Sequence, residues 1–239
     1  MKTGSPPGKL LTRAFFALPP ERLAPLLLGK LLVRITEERK IIAGRIVEVE
    51  AYLGPQNPLA DTAAHAHRGE TARNAVLFGP PAHAYVYLIY GNYYCMNVSC
   101  QGPGYGGGIL VRALEPVAGL DLMALNRGRK SSAPSPELTS GPGRLCKALG
   151  ITRAADNGLD LIDPASPLQV RDDGRRVSRV LVTRRIGIRH AADLPLRFVM
   201  PGNPFASGPK TLARSGTLMP TRSVQRVKPV QSLRRRKTP

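Results

Sequence analysis

At 239 residues and 42% hydrophobic content, the chain is long enough to bury a sizeable core, in one domain or two small ones. No run reaches the roughly eighteen uninterrupted apolar residues of a membrane span. The longest candidate, residues 23–33, is broken by Pro25, Gly29 and Lys30, so no membrane partner is expected. Thirty-five Lys and Arg against sixteen Asp and Glu give a formal charge of +19, which points to a polyanionic partner or, more blandly, to a well-solvated basic surface.

Residues 1–8 read as a flexible lead, with Gly and Pro where a signal peptide needs its apolar run, and a cytoplasmic home is the default expectation. Residues 13–18, with Phe15 and Phe16, start the fold, and residues 20–28 suit a short helix with proline in its first turn. Residues 30–35 and 41–52 are apolar or alternating and rich in β-branched side chains around the polar turn 36–40, which predicts a β-hairpin. Residues 54–69 form a loop of Pro, Ala and His. A second hairpin is predicted from residues 84–89 and 93–100 around Gly91-Asn92.

After a glycine-rich loop at residues 102–108 come a strand at 109–114, a helix at 119–126 and a Ser- and Pro-rich mobile loop at 127–139. A second helix is predicted at 142–149, capped by Ser140 and stopped by Gly150. Residues 168–170, 177–185 and 196–200 supply later strands, and no internal repeat is evident. The chain has no acidic residue from Leu194 onward. Residues 208–239 are therefore read as a basic, disordered tail adding non-specific attraction to phosphates, which leaves residues 9–207 as the folded domain.

Three cysteines, Cys95, Cys100 and Cys146, make no CxxC pair, and His65 and His67 lack partners at ligand spacing. Neither a disulfide framework nor a metal site is expected, and no cofactor is called for. The HxE and PCxxC signature of zinc deaminases is also absent.

Aromatic side chains are distributed unevenly. The chain has no Trp and five Phe, yet all seven Tyr fall between Tyr52 and Tyr105, with Tyr85, Tyr87, Tyr90, Tyr93 and Tyr94 in AYVYLIYGNYYCMN. Just upstream, in GRIVEVEAYLG, strand alternation puts Glu48, Glu50 and Tyr52 on one face, with Val47, Val49 and Ala51 on the other. Such alternation usually marks a half-buried strand with its polar face in water. Two glutamates at i and i+2 repel one another, however, and a carboxylate beside a ring is what a base-binding pocket with a general base requires.

Tyr85 and Tyr87 share a face. Tyr85, Tyr93 and Tyr94 are read as a cross-strand ladder bracing the hairpin. Tyr90 sits at its tip with no core to pack into and suits a wedge inserted into a base stack. His65 lies on a loop, and Arg112 closes an apolar strand, where a carboxylate such as Glu50 is its natural partner.

IVEVEAYLGP, AAHAHRG, RN, HAYVYLIYGNYYCMNVS, ILVRALEP, SGPGRLCKALGI and PLRF occur in that order between residues 10 and 207. Together they resemble the alkyladenine (3-methyladenine) DNA glycosylases. The resemblance implies a single α+β domain with a curved antiparallel sheet, a protruding hairpin and surrounding short helices. It also implies a monofunctional enzyme acting as a monomer on damaged purines in double-stranded DNA.

By resemblance, Glu50 is the general base for the water attacking C1′, and Arg112 and the backbone carbonyl of Ile186 hold that water. Tyr52, His65 and Tyr87 sandwich the extruded base, Asn97 disfavours the amine of normal guanine, and Tyr90 fills the vacated gap. Arg127 and Arg144 fall at phosphate contacts. The chain departs from the pattern in a longer stretch between Pro55 and His65, in Glu70 for a basic residue, in Ala72 for a proline and in Asn92 for a methionine.

Two other classes fit parts of the pattern. A non-catalytic single-strand or RNA-binding module would use the tyrosines as stacking platforms, though Glu50 would then repel phosphates. A glycosidase using Glu48 and Glu50 would have both carboxylates on one strand rather than flanking a bond, and would leave the charge without a role.

Overall fold

The β-branched and apolar residues of 41–52 make one of the two longest strands in the computed structural model, which describes residues 5–209 and 216–224. Up to the first hairpin, the elements run β1 (Lys9–Leu10), α1 (Arg13–Phe16), α2 (Pro20–Leu27), β2 (Leu31–Ile35) and β3 (Ile41–Tyr52). The middle of the chain gives α3 (Ala75–Phe78), β4 (Ala84–Ile89), β5 (Tyr93–Cys100), β6 (Gly107–Ala118), α4 (Leu120–Asn126), α5 (Pro136–Thr139), α6 (Pro142–Ala148) and α7 (Arg153–Asp156). The last part adds β7 (Leu168–Asp172), β8 (Arg179–Thr183), β9 (Arg197–Val199) and β10 (Thr217–Pro220), followed by a helical turn at Thr221–Val224.

The strands join one antiparallel sheet in the order β1-β7-β2-β3-β6-β5-β4, with β9, β8 and β10 branching from β3. This mixed architecture, with short helices around an open sheet, is the fold class expected from the sequence. No described helix is long and apolar enough to cross a membrane.

β3 is the spine. One edge pairs with β6 along most of its length, while the other pairs first with β2 and then, at Glu48–Glu50, with β9. Packing on both faces, with Ile46, Val49 and Ala51 in the main core and Ala43 and Val47 in separate apolar clusters, explains why ten of its twelve positions are buried, where a simple hairpin would expose one face. The register with β6 shifts on both sides of Glu48, which marks a β-bulge. The bulge corrects the simple alternation: Ile46, Val49 and Ala51 all enter the main core, whereas Val47 packs on the other side with Ala113 and Phe205.

α2 lays Leu23 and Leu27 on the core side of the sheet, each fully buried and worth about 1.5–3 kcal/mol. α6 does not take Ser140 as its cap. Gly141 holds that position, and Ser140 instead ends α5, its hydroxyl donating to the Ala206 carbonyl. Part of the predicted 127–139 loop is helical, because Ser135 accepts the Glu137 N–H and Pro136 occupies the first turn. Cys95, Cys100 and Cys146 are buried free thiols.

The termini are more built than the sequence suggested. Arg171 donates to the carbonyls of Pro7 and Gly8 within the stretch read as a lead. Within the stretch read as a tail, Thr217–Pro220 pairs with β8. Residues 1–4, 210–215 and 225–239, including the RRRK run, lie outside the described residues.

Candidate active site

Glu50 is fully buried, and three donors converge on it: the Ile186 N–H at 2.7 Å, the Tyr52 hydroxyl at 3.0 Å and the Arg112 guanidinium at 3.2 Å. A carboxylate offers about four acceptor positions, so one remains for a further donor such as water. The contact with Ile186 is made by its N–H, a donor the sequence reading did not include.

Glu48 is a different kind of residue despite its place on the same strand. It accepts from Arg112 at 2.9 Å, from Arg197 at 2.7 Å, and from both the hydroxyl and the N–H of Ser207. Four donors hold it, three of them on Oε1, and none belongs to a residue lining the aromatic pocket, whereas Glu50 is bonded to Tyr52 there, so the reading with two catalytic carboxylates loses one of them. The repulsion expected between the two glutamates is cancelled locally, since Arg112 bridges both and Arg197 supplies the second cation. Burial alone would lower the Arg112 pKa, but the two carboxylates outweigh it and hold it above its ordinary value.

Tyr52, His65, Tyr87 and Asn97 line one pocket of about 100 Å³, with Tyr85, Leu77, Gly108 and Ile188 completing its walls. The His65 ring meets Tyr87 edge-on at 4.5 Å between centroids. Asn97 is held by the Tyr85 carbonyl at 3.3 Å. Gly108, opposite Tyr52, leaves room on the floor; a Cβ there would come within 2.8 Å of Leu77.

Burial, then the Glu50 charge, pushes the Tyr52 phenol far above its ordinary range, so it stays a donor to Glu50. Burial likewise raises Tyr87, with the neighbouring Cys95 thiol adding to it. Burial and then the Arg73 cation lower His65, which favours its neutral ring.

Tyr85 is the pocket residue that the ladder reading missed. It is 1% exposed, packs with Ala66, Leu77 and Phe78, and places its hydroxyl 2.9 Å from His65 Nδ1, leaving Nε2 for another partner. Arg197, Ser207, Asp61 and Arg185 were also missed. Arg197 lies within the quoted PLRF motif and Asp61 next to AAH, but nothing local announces pairings more than 120 residues away.

Tyr90 stands apart from the pocket, 88% exposed at the hairpin tip. Ile89 and Tyr93 are paired, so three residues, 90–92, join the strands, as the expected bounds 84–89 and 93–100 leave. The Ile89 carbonyl accepts the Asn92 N–H, and both Tyr90 (φ 48°) and Gly91 (φ 73°) are left-handed, as a type I′ turn demands. Glycine fills such a position freely; a tyrosine there is strained.

Arg127 and Arg144 do not line the pocket, but they sit near each other. Burial and then the Arg144 charge depress the Arg127 pKa, and Arg144 itself is exposed. Arg127 donates to the Glu137 carbonyl at 3.3 Å. Two neighbouring guanidiniums without carboxylate partners among the described residues suit an anion.

The profile of the Methylpurine-DNA glycosylase (MPG) family matches residues 14–204. The chain belongs to this family. Among its relatives, a protein of Koribacter versatilis is 54% identical over 202 residues, covering 84% of this chain and 95% of its own length. One of Methanoculleus marisnigri is 48% identical, covering 82% and 98%. One of Burkholderia lata is 45% identical, covering 88% and 99%. All three carry the provisional name 3-methyladenine DNA glycosylase. The family match spans the pocket residues, both glutamates, Arg112 and Arg197 of this methylpurine-DNA glycosylase family member, and stops three residues before Ser207.

Proposed function

We propose that this protein is a monofunctional DNA glycosylase of base-excision repair. It extrudes an alkylated or deaminated purine from duplex DNA into the Tyr52–His65–Tyr87 pocket and hydrolyses its N-glycosidic bond. The observation that carries this reading is the Tyr52 hydroxyl bond to Glu50, which sets a buried carboxylate with a spare acceptor position directly beside an aromatic slot.

In the step, a water held by Glu50, Arg112 and the Ile186 carbonyl gives a proton to Glu50, and its oxygen bonds to C1′. The purine departs with the electron pair of the broken C–N bond, leaving an abasic sugar. A cationic purine such as 3-methyladenine or 7-methylguanine leaves as a neutral base; a neutral one such as hypoxanthine or ethenoadenine leaves less readily. Extrusion costs a few kcal/mol and is cheapest at damaged or mispaired positions, which supplies a first filter. Arg127 and Arg144 take backbone phosphates. No described lysine lines the pocket, which favours water over an amine as nucleophile. A binding module that only stacks bases has no use for Glu50. Base release from duplexes carrying one defined lesion each tests the assignment, and absence of release from all of them overturns it.

Tyr90 then fills the gap left by the extruded base. Because asparagine tolerates the left-handed turn better than tyrosine, Tyr90→Asn is expected to melt at or slightly above the parent temperature. It should bind lesion duplex about tenfold more weakly, since one base–aromatic stack is worth about 1–3 kcal/mol. Unchanged affinity at matched salt would count against the wedge.

A pH effect follows from His65, whose neutral ring faces the base. Its folded pKa lies below the ordinary value, so the stability tied to its neutral form is intact above the ordinary histidine range and lost as pH falls through the folded pKa. Arg73→Gln removes one of the two causes of that depression. The acid-side fall in lesion binding should therefore move to higher pH, and a profile that stays in place would rule out Arg73 as a cause.

A further inference from the structure

Asp61 and Arg185 form a two-pronged ion pair, 2.6 and 2.7 Å long, in which neither side chain has any exposed surface. The reaction above uses neither charge. Burying such a pair carries a desolvation cost that apolar residues of similar volume avoid, so stability alone is a weak reason for it.

Its contacts suggest another reason. The Arg185 guanidinium carbon lies over the Tyr52 ring, 4.5 Å from its centroid, and Arg185 Nε has no hydrogen-bond partner among the described residues. One arginine nitrogen donates to the Ala51 carbonyl and the other to the Ala191 carbonyl, while Asp61 accepts the Leu53 N–H. The pair thus grips the residues on either side of Tyr52 as well as its ring. Since Arg185 is wholly buried, the ring face it covers is not the one open to the pocket. The next residue, Ile186, gives its N–H to Glu50.

We propose that Asp61 and Arg185 are positioning residues: they close one face of Tyr52, leave the opposite face as the base platform, and hold its hydroxyl and the Ile186 N–H on Glu50. Base and water-activating carboxylate are thereby set in register by one device. This rests on the reading of Tyr52 as a base platform.

The test compares the full-length parent with the double variant Asp61→Leu/Arg185→Met, which removes both charges together, and with Arg185→Lys, which keeps the charge but not the flat, two-pronged geometry. The readouts are melting temperature, affinity for a duplex containing an abasic site, and the single-turnover rate of base release at saturating enzyme. Both variants are expected to bind the abasic duplex as the parent does while releasing base at least about tenfold more slowly, as small displacements of reacting groups do. Parental rates in either folded variant would overturn the inference, as would loss of abasic-site binding in step with base release. If the double variant does not fold, Arg185→Lys decides alone. Running Glu50→Gln alongside separates the two claims. A parent that depends on Glu50 upholds the glycosylase reading whatever the positioning variants do.

Discussion

Glu50→Gln is expected to bind damaged duplex nearly as well as the parent and to release base about a thousandfold more slowly, within the range by which a positioned general base accelerates a reaction. Glutamine keeps the length and shape of the side chain, and its oxygen can still accept the Ile186 N–H. Arg112 is not stranded by the change, because Glu48 remains its partner at 2.9 Å. What is lost is the basic oxygen with the spare position. Single-turnover base release, with binding measured separately at matched salt, separates chemistry from grip. A parental rate would overturn the mechanism.

Glu48→Gln should fail in the opposite way. It removes the one carboxylate shared by Arg112 and Arg197, both almost wholly buried, and breaking a buried ion pair from one side costs about 3–5 kcal/mol. For a chain of this size that corresponds to a fall of about 10 °C in melting temperature, read by thermal unfolding. The two glutamates are two residues apart and sit on one strand, yet one change should stop the chemistry of a stable protein and the other should lower its melting temperature. A Glu48→Gln protein that melts normally but releases no base would reverse the two roles.

Much of this was legible in the chain. The second hairpin, Ala84–Ile89 with Tyr93–Cys100, was marked by alternation and a Gly-Asn pair, and β3 by its β-branched residues. Tyr52, His65, Tyr87 and Asn97 do share a pocket, and Arg112 does meet Glu50. What stayed hidden depends on distant partners. β10 is a short edge strand with a weak pattern of its own, stabilised by β8. The bulge at Glu48 moves Val47 across the sheet, which a period of two cannot anticipate. Tyr85 carried the ladder signal of its neighbours, and only the fold brings His65, twenty residues earlier, against its hydroxyl. The different fates of Glu48 and Glu50 are set by Arg197 and Ser207, both from the far end of the domain.

The charges of the inner site balance: Glu48 and Glu50 against Arg112 and Arg197, and Asp61 against Arg185. The surplus of +19 is therefore carried elsewhere in the chain. Ionic strength can then work on arrival at DNA and residence there, through counterions released from phosphates, while a walled-in, neutral reaction chamber hardly registers it. Under the proposed function, binding to DNA and breaking of the glycosidic bond become separately adjustable, and selection can retune the first without touching the second.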